Sequence, residues 1–184
     1  MSFLIETRRL YIRQFRNEDA EELHKIFGDP EVMKRILGGS SLSIESTQQR
    51  LDKIIQHQQE NGFSLWALIR KEDKKLIGDC GLILVEGRGP EVELSYDINR
   101  EFWGKGYATE AGRECLRFGF ERLGLKRIIA ITDPDHFASR RVMEKCGMTY
   151  QGIAKYYDRD LVLYSIERRR AMPTGLDTTS ESRQ

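Results

Sequence analysis

Along Leu10–Phe15 (Leu-Tyr-Ile-Arg-Gln-Phe) apolar and polar residues alternate, the pattern of a half-buried strand. The spacing then lengthens to that of a helix. Asn17 is placed to cap it, Glu18 and Asp19 fall in its first turn at the positive end of the dipole, and Leu23, Ile26 and Phe27 form its apolar stripe. Gly28-Asp29-Pro30 ends that helix, a second short one is predicted over Glu31–Leu37, and Gly38–Ser41 reads as loop. A third helix is predicted over Ile44–Gln59 from the stripe Ile44, Thr47, Leu51, Ile54 and Ile55, with Gly62 as its stop.

Beyond Gly62 the period drops to two. Phe63–Ile69 and Lys75–Val85 read as antiparallel strands joined by a polar turn at Glu72–Lys74, and Glu91–Ile98 follows the turn Gly87–Pro90 as a third. Helical spacing returns over Tyr107–Leu123, ended by Gly124. Lys126–Thr132 is a short, continuous apolar run, which predicts a buried, central strand. His136–Cys146 is predicted helical, and Thr149–Tyr157 and Leu161–Arg168 form a last strand pair. The order describes one α/β domain over residues 1–170, a mixed sheet of about seven strands with helices on both faces. Residues 171–184, rich in Ser and Thr and without an apolar stripe, are expected to be a flexible tail.

Composition narrows the classes of function. Hydrophobic residues make up 39% and charged residues 32%, an ordinary globular balance. With 30 basic and 29 acidic residues the net charge is +1, which argues against a dedicated nucleic-acid binder. Cys80, Cys115 and Cys146 are isolated from one another and from His at metal spacing, so they read as free thiols and small buried hydrophobes, with no metal site expected. Met1–Arg9 lacks the apolar segment of a secretory signal, and no apolar run approaches the ~20 residues that span a bilayer. A cytoplasmic protein without a membrane partner is expected.

The chemistry concentrates where a strand runs through a glycine-rich turn into a long helix, Asn99-Arg100-Glu101-Phe102-Trp103-Gly104-Lys105-Gly106-Tyr107-Ala108-Thr109. Free N–H groups at a helix start, unscreened at Gly104 and Gly106, suit a di-anion such as a pyrophosphate. Ala108 leaves room for it, and Lys105 adds a mobile charge. Two familiar nucleotide motifs fail: GxGxxG lacks its last glycine, since Thr109 stands there, and GxxxxGK[ST] is absent.

This stretch resembles the acyl-CoA-binding motif of the GNAT superfamily of N-acetyltransferases, [Q/R]-x-x-G-x-[G/A], with Trp103 where Gln or Arg is usual. Phe102–Ala111 is similar to the branch that includes the ribosomal-protein acetyltransferases RimJ and RimL, as is the opening Glu6–Leu23. Asp133–Met148 resembles the later segment written N-x-x-S followed by E-K-x-G-F, with His136 in place of Asn. The resemblance, which spans Thr7 to Arg168, implies a mostly antiparallel sheet in which Glu91–Ile98 and Lys126–Thr132 are parallel and splay apart. Acetyl-CoA would be the co-substrate, its pantetheine arm along Ser95, Tyr96, Asp97 and Ile98 and its diphosphate at Trp103–Thr109, with His136 and Ser139 also at the cofactor.

Acetyl transfer from a thioester to an amine requires a neutral amine, an oxyanion donor and a proton for the thiolate. An α-amino group with a pKa of about 7.7–8.0 is already partly neutral, whereas a lysine at about 10.4 needs more help. Glu93 aligns with a family glutamate that takes the amine's proton through water; the plainer reading is a solvent-facing strand glutamate. Ser139 aligns with the serine near the CoA sulfur, where it can donate a hydrogen bond to the thiolate, or it is an ordinary helix-start hydroxyl. Tyr157 and Tyr156 are the alternative acids, or packing residues. His136 either alters the cofactor geometry slightly or serves as a proton shuttle, while His24 and His57 are expected on helix surfaces without a chemical role. A competing reading is an acyl-CoA sensor without turnover. The acceptor, a peptide or small-molecule amine, would be met by Ile36–Ser43 and Ala154–Asp160, and the family also allows a homodimer through the late strands.

Overall fold

The computed structural model describes residues 4–34, 36 and 39–168. Strands β1 (Ile5–Glu6), β2 (Leu10–Arg13), β3 (Leu65–Arg70), β4 (Leu76–Leu84), β5 (Val92–Ile98), β6 (Arg127–Thr132), β7 (Thr149–Tyr156) and β8 (Arg159–Glu167) form one sheet. Its order is β1-β2-β3-β4-β5-β6-β8-β7. Helices α1 (Ala20–Phe27), α2 (Pro30–Met33) and α3 (Ile44–Asn61) cover one face, and α4 (Tyr107–Glu121) and α5 (Phe137–Lys145) the other.

A central strand with both faces covered must be apolar where it is buried, and β3 is apolar from Leu65 to Ile69, ending on the partly exposed Arg70. Trp66 and Leu68 pack toward α4, alongside Ala111, Cys115 and Leu116, whereas Leu65, Ala67 and Ile69 pack toward Leu23, Ile26, Phe27 and Leu51. Each large side chain so buried contributes about 1.5–3 kcal/mol. Cys80, Cys115 and Cys146 are free and buried in the first of these clusters, as expected of small hydrophobes. α3 runs to Gly62, which takes the left-handed φ of 77° that closes it.

Every strand pairing is antiparallel except β5 with β6. β4 pairs with β5 along the whole strand, from Leu84↔Val92 to Gly78↔Ile98. β6 registers against β5 only at Glu93↔Ile129, while its other edge is paired with β8 from Arg127 to Thr132. Past Glu93 the two parallel strands separate, as the resemblance implies.

Several details depart from expectation. Among the described residues the sheet has eight strands, the two-residue β1, which gives no periodic signal, adding to the seven expected. Asn17 does not cap α1; it opens a short 3-10 turn, and Asp19 secures this corner. The Asp19 carboxylate accepts 2.7 Å bonds from Arg13 Nη1 and Nη2 and a 2.9 Å bond from the Arg16 N–H, a bidentate grip that turns it back toward β2. The second helix starts at Pro30, with Asp29 Oδ1 accepting from the Glu31 N–H, and ends at Met33 rather than Leu37, which lies outside the described residues. His24 and His57 are structural. His24 Nδ1 meets Thr47 Oγ1 at 3.1 Å; His57 bonds the Phe63 carbonyl through Nδ1 and the Leu84 N–H through Nε2. The expected tail over 171–184 lies outside the described residues.

Close strand approach makes Gly81 the most demanding position in β4, since a Cβ there would lie 2.0 Å from the Ser64 carbonyl oxygen. Gly81→Ala is expected to cost at least about 2 kcal/mol, toward the upper end for overpacking. A urea titration followed by circular dichroism measures it.

Candidate active site

The turn between β5 and α4 is held from inside by Phe102, which is buried, and by Trp103, whose Nε1 donates a 2.6 Å bond to the Ile98 carbonyl while 43% of the residue stays exposed. Gly104 and Gly106 have φ of 73° and 81°, a region that favours glycine. Nothing lies within 4 Å of where a Cβ on Gly104 would sit, so the turn faces open space. α4 begins at Tyr107 with Gly106 as its N-cap, a residue with no side chain to bond the leading N–H groups. Its leading N–H groups are therefore left for a ligand, and the site fits a diphosphate.

The predicted contacts around this turn are of two kinds. Ala108 and Thr109 are half-buried on the first turn of α4, and Lys105 is exposed with its ammonium 5.2 Å from the Phe102 ring centroid. Tyr107 is buried, its ring edge-on to Phe102 at 6.2 Å, so only its backbone can face a phosphate. Ser95, Tyr96, Asp97 and Ile98 lie along β5 beyond its single pairing with β6, where that edge of the strand has no ladder partner. This is the geometry in which a pantetheine amide could stand in for a strand.

Glu93 sits at the point of divergence, flanked in register by Ile83 and Ile129. It is only 6% exposed, so the solvent-facing reading of this residue does not hold. Burial raises its carboxyl from 4.5 to about 8, with the Asp97 carboxylate adding to the rise and the Tyr157 hydroxyl opposing it. Tyr157 Oη donates to Glu93 Oε2 at 3.4 Å and accepts from the Glu86 N–H at 3.1 Å, and the Tyr157 N–H donates to Glu86 Oε1 at 3.0 Å. Tyr157 and Asp158 both have positive φ, 50° and 57°, at the β7–β8 turn. Tyr156 goes elsewhere, its hydroxyl donating to Glu91 Oε2 at 2.8 Å. Glu86, Glu91 and Tyr156 line a cleft of about 340 Å³ between the β4–β5 loop and this hairpin.

On the opposite face of β5, Tyr96 Oη lies 2.8 Å from Ser139 Oγ and donates a 3.0 Å bond to the Ser139 carbonyl. Both residues are largely shielded, and burial pushes the Tyr96 phenol well above its ordinary value, so it stays a proton donor. Sequence reasoning used only the backbone of Tyr96; its place on the face of Val92 and Leu94 was the available signal. His136 precedes α5 with Nδ1 3.1 Å from Thr132 Oγ1.

Two acids were missed as a pair. Asp97 lies across from Asp79 in the β4–β5 ladder, and Arg50 Nη2 of α3 is 3.5 Å from Asp97 Oδ2. Asp79 is fully buried, and neither of its oxygens makes a hydrogen bond among the described residues. Burial, then the Asp97 charge, pushes the Asp79 carboxyl well up, against the pull of Arg50.

The sequence profile of the acetyltransferase (GNAT) domain matches residues 9–149. The chain belongs to the GNAT acetyltransferases. Among relatives of this GNAT chain, an uncharacterized N-acetyltransferase of Bacillus subtilis (strain 168), YoaA, is 31% identical over 173 residues, 91% of this chain and 98% of its own. A crystal structure of a GNAT-family acetyltransferase from Bacillus anthracis superposes with a TM-score of 0.77 at 30% identity, covering 90% of this chain and 98% of that one. RimL, a ribosomal L7/L12 alpha-N-protein acetyltransferase solved with coenzyme A, shares the fold at a TM-score of 0.77 and 15% identity, covering 90% and 98%. The chain is an N-acetyltransferase, with the single α/β domain and the one parallel strand pair of that fold. Among the described residues no helix is long and apolar enough to cross a membrane, and no group of three or more His, Cys, Asp and Glu side chains could hold a metal.

The raised carboxyl of Glu93 has a measurable consequence for stability. Below pH 4.5 the group is protonated both folded and unfolded. Between 4.5 and about 8 the unfolded chain releases the proton that the folded chain keeps, so stability falls with rising pH, by about 1.4 kcal/mol per unit at the steepest. Glu93→Gln removes this contribution. Its melting temperature relative to the native chain is expected to be higher at pH 8 than at pH 5, as differential scanning calorimetry at both values would record.

Proposed function

We propose that this acetyltransferase moves acetyl from acetyl-CoA directly onto a primary amine of a protein N-terminus or small molecule, with Glu93 taking the proton. The observation that carries the reading is the burial of Glu93 beside the split between β5 and β6, which tunes its carboxyl to about 8. A base with that proton affinity is matched to an ammonium of similar pKa, and a bridging water can relay the proton. The acetyl donor supplies an activated thioester; the protein orients it, excludes water and manages protons. Backbone groups of Ser95–Ile98 would hold the pantetheine, and Trp103–Thr109 the diphosphate. His136 adjoins the same region in this reading.

The thiolate that departs needs a hydrogen-bond donor. Ser139 is our candidate, and its contact with the Tyr96 phenol supports the choice: with the phenol proton turned from the Ser139 carbonyl to Ser139 Oγ, 2.8 Å away, Tyr96 donates to the serine and the serine proton is free for the thiolate. Tyr157 serves Glu93 rather than the thiolate: its hydroxyl steadies the carboxylate form and its backbone ties the hairpin to Glu86. The acceptor would enter through the cleft lined by Glu86, Arg88, Glu91, Lys155 and Tyr156, a mixture of carboxylates, cations and an aromatic ring that suits a polar amine or a peptide. A cytoplasmic setting accords with three free, buried cysteines. A homodimer through β7 would cover Tyr150 and Ile153, which that edge strand leaves exposed.

The test is release of CoA thiol from acetyl-CoA against N-terminal peptides, free amino acids, polyamines and aminoglycosides, beside direct measurement of acetyl-CoA binding. One amine class is expected to turn over, with kcat lowered by about 100-fold in Glu93→Gln, within the range for loss of a general base, and with donor binding retained. Binding without transfer to any amine would leave a sensor, and an unchanged kcat would remove Glu93 from the mechanism.

A further inference from the structure

The carboxylate of Glu110, in the first turns of α4, does not serve its own helix. Its Oε1 accepts a 2.6 Å bond from Thr7 Oγ1 and a 2.8 Å bond from the Arg9 N–H, and its Oε2 accepts a 2.6 Å bond from Arg9 Nε. The partners lie about a hundred residues earlier in the chain, just ahead of β2. That segment is itself fixed. The Thr7 N–H donates to the Leu10 carbonyl and the Leu10 N–H to Thr7 Oγ1, both at 2.9 Å, and the Arg9 carbonyl accepts from the Lys71 N–H at the end of β3.

Held by Glu110, the Arg9 guanidinium reaches the glycine turn from behind. Nη1 donates a 2.9 Å bond to the Lys105 carbonyl, the guanidinium carbon lies 4.3 Å from the centroid of the Tyr107 ring, and Nη2 is 3.6 Å from where a Cβ on Gly106 would stand. One side chain therefore touches three consecutive residues of the turn. The bond to Lys105 has a directional consequence. In a trans peptide the C=O and the following N–H point opposite ways, so a Lys105 carbonyl drawn back toward Arg9 turns the Gly106 N–H forward, away from Arg9.

The turn needs such a brace. Trp103–Gly106 is exposed, contains two glycines and has no side-chain cap, so its own sequence leaves the N–H directions loosely set. A diphosphate gains most from donors that already converge. We propose that Arg9, locked by Thr7 and Glu110, is a positioning residue for the donor substrate, fixing the Lys105–Gly106 peptide so that its N–H meets the diphosphate of acetyl-CoA. Because Glu110 balances the charge of Arg9, the contribution is orientation rather than attraction. The proposal rests on the reading of the turn as the diphosphate site, and its test separates the two.

The experiment compares acetyl-CoA with S-acetylpantetheine, which carries the thioester and pantetheine arm but no diphosphate. Dissociation constants are measured for the native chain and for Arg9→Met, Arg9→Lys, Glu110→Gln and Thr7→Val, the smaller donor being titrated against bound acetyl-CoA. Arg9→Met and Glu110→Gln are expected to weaken acetyl-CoA by about 10-fold, the equivalent of one good hydrogen bond, and to leave S-acetylpantetheine unchanged. Arg9→Lys should not rescue, since an ammonium cannot hold Glu110 and the Lys105 carbonyl in one plane. Thr7→Val removes a single bond and should show the same selectivity in smaller degree, with a melting temperature close to native. Equal weakening of both donors, or none of acetyl-CoA, overturns the proposal. A native chain that binds the two donors equally well instead overturns the diphosphate reading, and this proposal with it.

Discussion

The structure turns on a pairing that stops. β5 and β6 meet at Glu93 and Ile129 and then part, because β6 is committed along its length to β8 while β5 is committed along its length to β4. Past Glu93 the half-buried edge of β5 keeps backbone groups that no neighbouring strand takes up, so this edge can pair with a ligand. The peptide-like arm of an acyl-CoA has the right chemistry. The same divergence places Glu93 at the foot of the opening, where it is desolvated enough to hold a proton near neutral pH.

Much of the fold was legible because local signals agreed with one another. The alternation before Asn17, the unbroken apolar run of β6 and the glycine turn ahead of α4 each appear at, or within a residue or two of, the expected place. The errors fall where a distant partner decides. Asp19 rather than Asn17 secures the first corner because Arg13 reaches it. His57 looked idle on a helix surface, yet it is bonded to Leu84, 27 residues away.

The site was legible by residue type but not by environment. Glu93 alternates with Val92 and Leu94 along its strand, and a sequence window cannot tell that it will be buried between β4 and β6, in register with Ile83 and Ile129. The link from Tyr96 to Ser139 spans 43 residues and those from Thr7 and Arg9 to Glu110 more than a hundred, separations at which periodicity carries no information. Asp79 and Asp97 form a pair only through the β4–β5 register, and Arg50 joins them only through the docking of α3.

The split and the cleft are made of different materials. The split presents peptide groups, at the open edge of β5 and in the turn at Gly104 and Gly106, whose directions depend on few side chains beyond those two glycines and Arg9. The cleft by the hairpin is walled by side chains such as Glu86, Glu91, Lys155 and Tyr156. Substitutions can accumulate in the second without disturbing the first. A fold so divided keeps one activated donor while its descendants exchange acceptors, and its inheritance of chemistry is separable from its inheritance of specificity.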